Sequence, residues 1–216
     1  MTTRLAILFL SIILLSFGTI KAQKEGEPTP HIFKIDFKLP TATANRSFKG
    51  VMSGLADIDF CYQYQFKEIG LFINGGMKYS YWNLESTLFS GTVVTGKLEI
   101  LQPFGSIGYR HEFSDKVFLE SELKGGYSFV NSNANTLTST YKQKALAIEP
   151  KFGFYYKSSD LTAVGLTLNY NIITTNFTPD NIGQPNFPGM TPDASNGNYQ
   201  YFSIGFGIYG IIPTFK

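Results

Sequence analysis

The chain has 216 residues and almost no net charge, with 18 Lys and Arg against 16 Asp and Glu. Two of the basic residues, Arg4 and Lys21, lie in an N-terminal segment that we expect to be removed, which leaves 16 charges of each sign. This balance excludes an electrostatic attraction to nucleic acid, because such binding depends on an excess of cations. The single Cys61 excludes an internal disulfide.

The first 22 residues have the pattern of a secretory signal peptide. Arg4 supplies a positive start, residues 5–17 are almost uninterrupted apolar sequence, and the segment ends on the small residue Ala22. The apolar run is shorter than the ~20 residues of a membrane-spanning helix, which argues against the alternative of an uncleaved anchor. We expect cleavage after Ala22 and a mature chain that forms one domain, residues 23–216.

Residues 31–40, HIFKIDFKLP, alternate between apolar and charged side chains over most of their length. A period of two predicts a β-strand, because successive side chains of a strand point to opposite sides. The same pattern recurs along the rest of the chain. It predicts eight strands, at 31–40, 54–66, 69–82, 92–112, 117–130, 144–157, 161–172 and 199–212.

Segment 92–112 contains one irregularity. Up to Ile100 the odd-numbered positions are charged, as at Lys97 and Glu99, whereas from Leu101 onward the odd-numbered positions are mostly apolar. A slip of one residue predicts a β-bulge around Leu101.

The connections between the predicted strands alternate in length. Three are short, near residues 67, 115 and 159, and four are long and polar, at 41–53, 83–91, 131–143 and 173–198. Barrels of the outer membrane have short turns at the periplasmic rim and long loops at the outer rim. We therefore predict an eight-stranded antiparallel up-and-down transmembrane β-barrel with both termini on the periplasmic side.

The polar faces of the strands fit the interior of a narrow barrel better than the outside of a soluble one. They carry many glycines and equal numbers of opposite charges, as a crowded interior requires, because an unpaired buried charge is costly. The predicted interior charge network comprises Lys34, Asp36, Lys38, Asp57, Asp59, Lys78, Lys97, Glu99, Arg110, Glu120, Glu122, Lys124, Glu149 and Lys151.

Aromatic side chains cluster at both ends of the strands, with a more aliphatic band between them. Two such girdles are typical of a barrel that crosses a bilayer, and a soluble lipocalin-like barrel has no reason to build them. The predicted girdle residues are Tyr62, Tyr64, Phe66, Tyr79, Tyr81, Trp82, Tyr109, Phe113, Tyr127, Phe129, Phe154, Tyr156 and Tyr170.

The leader ending in KAQ, the eight strands and stretches such as LEILQPFGSIGYRHEF resemble the outer-membrane β-barrel domain family common in Bacteroidota-type bacteria. More distantly, they resemble the small OmpA/OmpX-type barrels. The resemblance implies residence in the bacterial outer membrane, insertion by the barrel-insertion machinery, and contact with membrane lipids and lipopolysaccharide. One departure lies at the chain end: such barrels usually finish on an aromatic residue, whereas Phe215 is followed by Lys216.

The motifs that resemble cofactor-binding or catalytic sites lie in surroundings that do not fit those functions. Residues 205–210 match G-x-G-x-x-G, but the chain ends six residues later, which leaves no room for the helix that a dinucleotide site requires. His111 and Ser114 lie beside a short periplasmic turn, away from the outer leaflet where a lipid hydrolase would act. We predict no catalytic residue, no cofactor and no metal site, and hence no enzyme.

The sequence leaves the function open. The leading hypothesis is a surface protein with a side-chain-filled lumen, which displays loops for adhesion, envelope integrity or binding of an envelope protein partner. The alternatives are a narrow conduit for small or hydrophobic molecules and an accessory barrel of a larger secretion machine. In the longest loop, Phe177, Phe187 and Met190 form a possible surface binding site, with plain flexible surface as the equal alternative.

Overall fold

The computed structural model describes residues 31–66, 69–86, 93–187 and 197–212, which form eight strands and two short helices. The strands are β1 (His31–Ala42), β2 (Met52–Phe66), β3 (Leu71–Ser86), β4 (Val94–Glu112), β5 (Val117–Ala134), β6 (Tyr141–Lys157), β7 (Thr162–Phe177) and β8 (Gly197–Ile212). The α-helix α1 spans Arg46–Val51 and the 3-10 helix η1 spans Pro179–Ile182. Neither helix is long and apolar enough to cross a bilayer. All eight predicted strands are confirmed.

Each strand pairs antiparallel with its neighbours along the chain, and the last strand closes the sheet on the first. β8 pairs with β1 over the whole length of β1, from His31 opposite Ile212 to Ala42 opposite Tyr201. Because the sheet of described strands is closed, it presents no free edge to another chain. The fold is the predicted eight-stranded antiparallel barrel.

The two faces of the barrel wall have the opposite chemistry to those of a soluble protein. On β1, Lys34 and Asp36 are each 1% exposed, whereas Phe37 is 51% exposed. The other strands repeat this alternation, so that large apolar side chains such as Leu146 and Phe206 form the outer surface. Such a wall favours hydrocarbon over water. The apolar face of β1 therefore points out of the barrel.

Short turns close one end of the barrel, which we call the turn end. The Ser114 hydroxyl oxygen accepts a hydrogen bond from the backbone N–H of Val117 at 3.2 Å, and that of Ser159 accepts one from Thr162 at 3.1 Å. Serine favours such turns because its hydroxyl bonds the nearby backbone. The strand ends that the longer connections join, at Ala42 and Met52, Ser86 and Val94, Ala134 and Tyr141, and Phe177 and Gly197, all lie at the opposite end, which we call the loop end.

The predicted β-bulge around Leu101 is wrong. Here β3 and β4 pair without interruption, and Leu101 lies opposite Tyr79. The change of parity in the sequence has another cause: at the loop end the interior of the barrel becomes apolar. Ile100 points into this interior and is fully buried, and the charged residues before it point outward.

The register shifts elsewhere, at two places near the loop end of the described strands. One shift lies between Gly54 and Ala56 in β2, and the other between Ile173 and Asn176 in β7. A Cβ atom on Gly54 would lie 2.1 Å from the carbonyl oxygen of Pro40. At Gly54, therefore, β1 and β2 approach each other more closely than a side chain at this position allows.

The interior side chains form three layers along the barrel axis. A small apolar cluster near the turn end comprises Ile32, Phe118, Tyr155, Ala163 and Tyr209. A layer of charged and polar side chains follows. A larger apolar cluster occupies the loop end and includes Phe48, Val51, Trp82, Leu98, Ile100, Val130, Ile173, Phe177, Ile182, Phe187, Tyr199 and Tyr201.

Candidate functional site

A short helix in the first long connection turns into the barrel. α1 begins after Asn45, whose side-chain oxygen accepts a hydrogen bond from the backbone N–H of Phe48 at 3.0 Å and so caps the helix. The fully buried ring of Phe48 lies 4.7 Å, between centroids, from that of Trp82. It lies 5.4 Å from Phe177 and 5.2 Å from Tyr199. Aromatic pairs at these separations attract one another, so α1 is anchored in the lumen.

The described start of the last long connection, residues 178–187, folds over the same end. The 3-10 helix η1 ends at Gly183, whose φ of 64° is readily adopted by glycine. The side-chain amide of Asn181 donates hydrogen bonds to the Tyr199 hydroxyl at 2.7 Å and to the Gln143 side-chain oxygen at 3.0 Å. These bonds tie the connection to the inner faces of β6 and β8.

The aromatic residues predicted to form a surface binding site lie in the interior. Phe177 is fully buried and Phe187 is 3% exposed, and their rings stack with centroids 5.5 Å apart. The prediction is wrong for these two residues, because the apolar mouth of the barrel offers their rings a place away from water. Met190 lies outside the described residues. We define the loop-end plug as Phe48, Trp82, Phe177, Phe187 and Tyr199.

Charges of both signs fill the lumen between the plug and the turn end. Among the described residues, six buried cations (Lys34, Lys38, Lys78, Arg110, Lys124, Lys151) face six buried carboxylates (Asp36, Asp57, Asp59, Glu120, Glu122, Glu149). The structure thus brings together twelve of the fourteen residues predicted for the network. Equal numbers allow every buried charge a partner, without which burial would be very unfavourable.

Glu120 is the centre of the group nearest the turn end. Arg110 donates two hydrogen bonds to its Oε1 atom, at 3.0 and 2.8 Å. Lys34 donates to Oε2 at 2.7 Å, and the Tyr209 hydroxyl donates to the same atom. The Gln63 amide adds a longer bond of 3.3 Å to Oε1. Two cations and two neutral donors therefore depend on one carboxylate.

A second group of charges crosses the middle of the lumen. Lys78 on β3 forms ion pairs with Asp57 on β2, at 3.3 Å, and with Glu149 on β6. Lys124 on β5 pairs with Glu149 at 3.1 Å and with Asp59 on β2. Each of the two lysines thus bridges a carboxylate on β2 and Glu149 on β6. Since β2 and β6 lie on opposite sides of an eight-stranded barrel, the lysines link facing walls. An interior of this width is just filled by its side chains.

The sequence assigns three residues to the wrong face. Lys97 and Glu99 are not in the interior network: they form an ion pair of 3.2 Å on the outer wall, with side chains 42% and 31% exposed. They point outward because their neighbours in β4 fill the apolar loop end. Trp82 is not in a girdle but fully buried in the plug, since it shares its parity in β3 with Lys78 and Ser80.

All but one of the other predicted girdle residues have exposed or partly exposed side chains on the outside of the barrel. Tyr62, Phe66, Phe113, Tyr127, Phe154 and Tyr156 are exposed, and Tyr64, Tyr79, Tyr81, Phe129 and Tyr170 are partly exposed. Tyr109 is buried beside Gly70, where a Cβ atom would lie 2.9 Å from the tyrosine ring. Contact of these rings with a bilayer interface stays a prediction.

The side chains considered for catalysis or metal binding have ordinary surroundings. The His111 ring packs 4.8 Å from that of Phe113, between centroids, and the Ser114 hydroxyl oxygen is engaged by the turn that it stabilises. Within the described part of the chain, no three His, Cys, Asp or Glu residues are grouped so that they could hold a metal ion.

Known structures resemble this barrel, although no family model and no curated protein matches the sequence. Ail, the attachment invasion locus protein of Yersinia pestis, is 8% identical in its crystal structure with the heparin analogue sucrose octasulfate. The match covers 87% of this chain and 100% of that chain, with a TM-score of 0.50. Neisserial surface protein A is 12% identical over 86% of this chain and 99% of that chain, with a TM-score of 0.50. The chain therefore has the fold of the small outer-membrane β-barrels.

The comparisons overturn one prediction. The outer membrane protease OmpT from Escherichia coli also matches, with 10% identity over 90% of this chain and 100% of that chain and a TM-score of 0.42. This match contradicts the prediction that the chain is not an enzyme, which was drawn from the surroundings of the motifs that could carry chemistry.

Proposed function

We propose that the chain is a bacterial outer-membrane barrel that holds its loop end at the cell surface and binds a partner there, in adhesion or in maintenance of the envelope. The observation that carries this proposal is the combination of an apolar outer wall with a lumen filled by charges and by the loop-end plug. The wall fits lipid, and the filled lumen argues against a conduit. The loop end is therefore the surface that remains available for binding a partner.

The lengths of the strands support display of the loop end. β4 has 19 residues and β5 has 18, whereas ~9–11 tilted residues cross a bilayer. The outward residues of these strands are polar towards the loop end, as at Lys97, Glu99 and Asn133. This end of the wall would therefore stand above the membrane. The solved neighbour Ail, an attachment invasion locus protein crystallised with a heparin analogue, supports a role in binding a partner.

Export and insertion complete the proposal. Residues 1–22, which lie outside the described residues, would direct export and be removed after Ala22, and the barrel-insertion machinery would then assemble the strands in the outer membrane. Once inserted, the girdle residues would contact membrane lipids and lipopolysaccharide. A partner protein would reach the barrel from the loop end, or recruit it as an accessory of a larger secretion machine.

An epitope inserted at each end of the barrel tests this orientation. An epitope between Asn135 and Thr140 should be labelled by antibody on intact cells that express the full chain. The matched insertion between Ser158 and Asp160, in a turn at the other end, should be labelled only after the outer membrane is permeabilised. Labelling of the second epitope alone on intact cells, or recovery of the chain in the soluble periplasmic fraction, would contradict the proposal.

A further inference from the structure

Two buried hydrogen-bond donors at the loop end have no partner among the described residues. The indole N–H of Trp82 and the hydroxyl of Ser132 are fully buried, and neither forms a hydrogen bond within the described part of the chain. Buried polar groups are nearly always hydrogen-bonded, because they have lost their bonds to water. The indole N–H can only donate, so it requires an acceptor. The pair therefore points to an acceptor that the described residues do not supply.

The two donors lie at the same level of the barrel. Trp82 on β3 is opposite Leu98 on β4, and Leu98 is opposite Ser132 on β5. The backbones of the two donors are thus two strands apart, about 10 Å, and both side chains point into the lumen. The indole group spans much of this distance, so one acceptor atom between the two side chains is within reach of both. A carbonyl oxygen has two lone pairs and accepts two such bonds.

The surroundings of the donors select a neutral molecule. Leu98 and Ile100, which are fully buried, belong to the same apolar cluster as Trp82. Along β3 towards the turn end, the next buried cation is Lys78, which already forms ion pairs with Asp57 and Glu149. A carboxylate between the donors would therefore bury an additional negative charge, which is costly. The carbonyl group of an ester or an amide supplies the same acceptor without a charge.

The ring of Phe48 occupies the apolar place next to Trp82, with the two centroids 4.7 Å apart. Phe48 belongs to α1, a helix of six residues, which is stable only through the burial of its apolar side. A ligand ring in the place of Phe48 would make similar contacts with Trp82. On β5 and β6 the buried side chains at this end are mostly small, so this wall leaves the space to the rings: Ser128, Ser132, Ala134, Ala145 and Ala147.

We propose that the loop end binds a small neutral molecule with an aromatic ring and a carbonyl group, which displaces the ring of Phe48 and accepts hydrogen bonds from Trp82 and Ser132. The strands supply the donors, and α1 supplies the side chain that yields. The segment stays attached before the helix, because the backbone N–H of Thr43 donates to the Gln200 carbonyl oxygen at 3.0 Å. This inference rests on the proposed function, binding at the loop end, and names a class of ligand for it.

Quenching of intrinsic fluorescence tests the site, because Trp82 is the only tryptophan of the chain. The purified chain in detergent is titrated with methyl 4-bromobenzoate, whose bromine quenches indole fluorescence on contact. We expect saturable quenching that unbrominated methyl benzoate reverses. The related probe 4-bromotoluene keeps the ring without the acceptor, and should bind roughly tenfold more weakly because both hydrogen bonds are lost. The 4-bromobenzoate anion should also bind more weakly, because its charge would be buried.

Three variants locate the site. Ser132→Ala removes one donor, and should weaken binding of the ester roughly fivefold while leaving 4-bromotoluene unaffected. The matched control Ser53→Ala removes an exposed hydroxyl from β2 at the same end of the barrel, and should change neither. Phe48→Ala should bind the ester several-fold more tightly, because the probe no longer competes with the ring. Heat-modifiable migration in gels checks that each variant is folded, and Phe48→Leu replaces Phe48→Ala if the latter does not fold.

Equal binding of the ester and 4-bromotoluene would overturn the site, since water and not a carbonyl group would then pair with the two donors. Quenching that does not saturate, an unchanged affinity of Ser132→Ala, or a variant of Phe48 that binds no more tightly than the parent would do the same. These measurements use the purified chain and do not depend on which end of the barrel faces the medium. The epitope experiment does depend on it, so a wrong ligand site and a wrong orientation give different results.

Discussion

At the scale of single residues, Glu120 offers the sharpest test of the interior. Glu120→Gln keeps the shape of the side chain but leaves Arg110 and Lys34 without their shared carboxylate. Breaking a buried ion pair in this way typically costs ~3–5 kcal/mol. We therefore expect a clearly lower urea midpoint in detergent, measured as loss of the fast-migrating folded band on unheated gels.

A surface pair supplies the matched control for this prediction. Glu112 pairs with Lys157 at 3.2 Å at the turn end, and its side chain is 52% exposed. Exposed pairs contribute about 0–1 kcal/mol, so Glu112→Gln should leave the midpoint almost unchanged. Equal midpoints for the two variants would show that the buried network contributes no more to stability than a surface ion pair.

The residues that were assigned wrongly show what a sequence pattern leaves undetermined. Alternation identifies two faces, but it does not say which chemistry the interior has at each height. The pattern predicts Lys97 and Glu99 inside because charged residues of other strands lie inside. It predicts Trp82 outside because aromatic residues are common at interfaces. In each case the interior of the barrel is apolar at the loop end, where residues of the connections and of the strands pack together. Charged residues therefore point outward there, and Trp82 points inward.

At the scale of elements, local sequence patterns predict that each strand exists, but they do not predict the exact residues at which it ends. Period-two alternation and the short turns fix each strand to within a few residues, because both signals are local. The helix α1 has a local signal too, in Asn45 three residues before Phe48, but a six-residue helix is stable only when its apolar face is buried. That burial depends on residues far along the chain, such as Phe177 and Tyr199.

The close approach of β1 and β2 gives a prediction at this scale. Gly54→Ala would place a Cβ atom 2.1 Å from the Pro40 carbonyl oxygen, so the two strands would have to separate. Gly75→Ala is the control, because a Cβ atom there meets nothing within 4 Å. We expect the first variant to refold with a much lower yield of folded barrel in detergent, and the second to refold as the parent does. Equal yields would mean that β1 and β2 separate here at little cost.

At the scale of the whole molecule, the barrel and most of its charge network are predictable, whereas the plug is not. An apolar outer wall requires polar groups to collect inside, and balanced charges on the polar faces predict that they pair there. The loop-end plug depends on the way in which the long connections fold back over the lumen. The mostly polar composition of these connections gives no sign that some of their residues pack inside. The lumen is consequently closed in three successive layers, by aromatic rings at the loop end, by ion pairs that cross the middle and by the small apolar cluster near the turn end.

These three layers predict how the chain behaves in a planar bilayer. The parent chain should show no steady single-channel openings, and neither should Phe48→Ala, because the ion pairs of the middle layer remain. Adding Lys78→Ser, Glu149→Ser and Tyr155→Ala to Phe48→Ala removes one charge of each sign from the middle of the lumen and one ring from the turn-end cluster, so the remaining charges stay balanced while all three layers lose volume. We expect small cation- and anion-permeable openings from this quadruple variant alone. Steady openings of the parent chain would instead favour the conduit, since ions would then pass a lumen that still contains every one of its side chains.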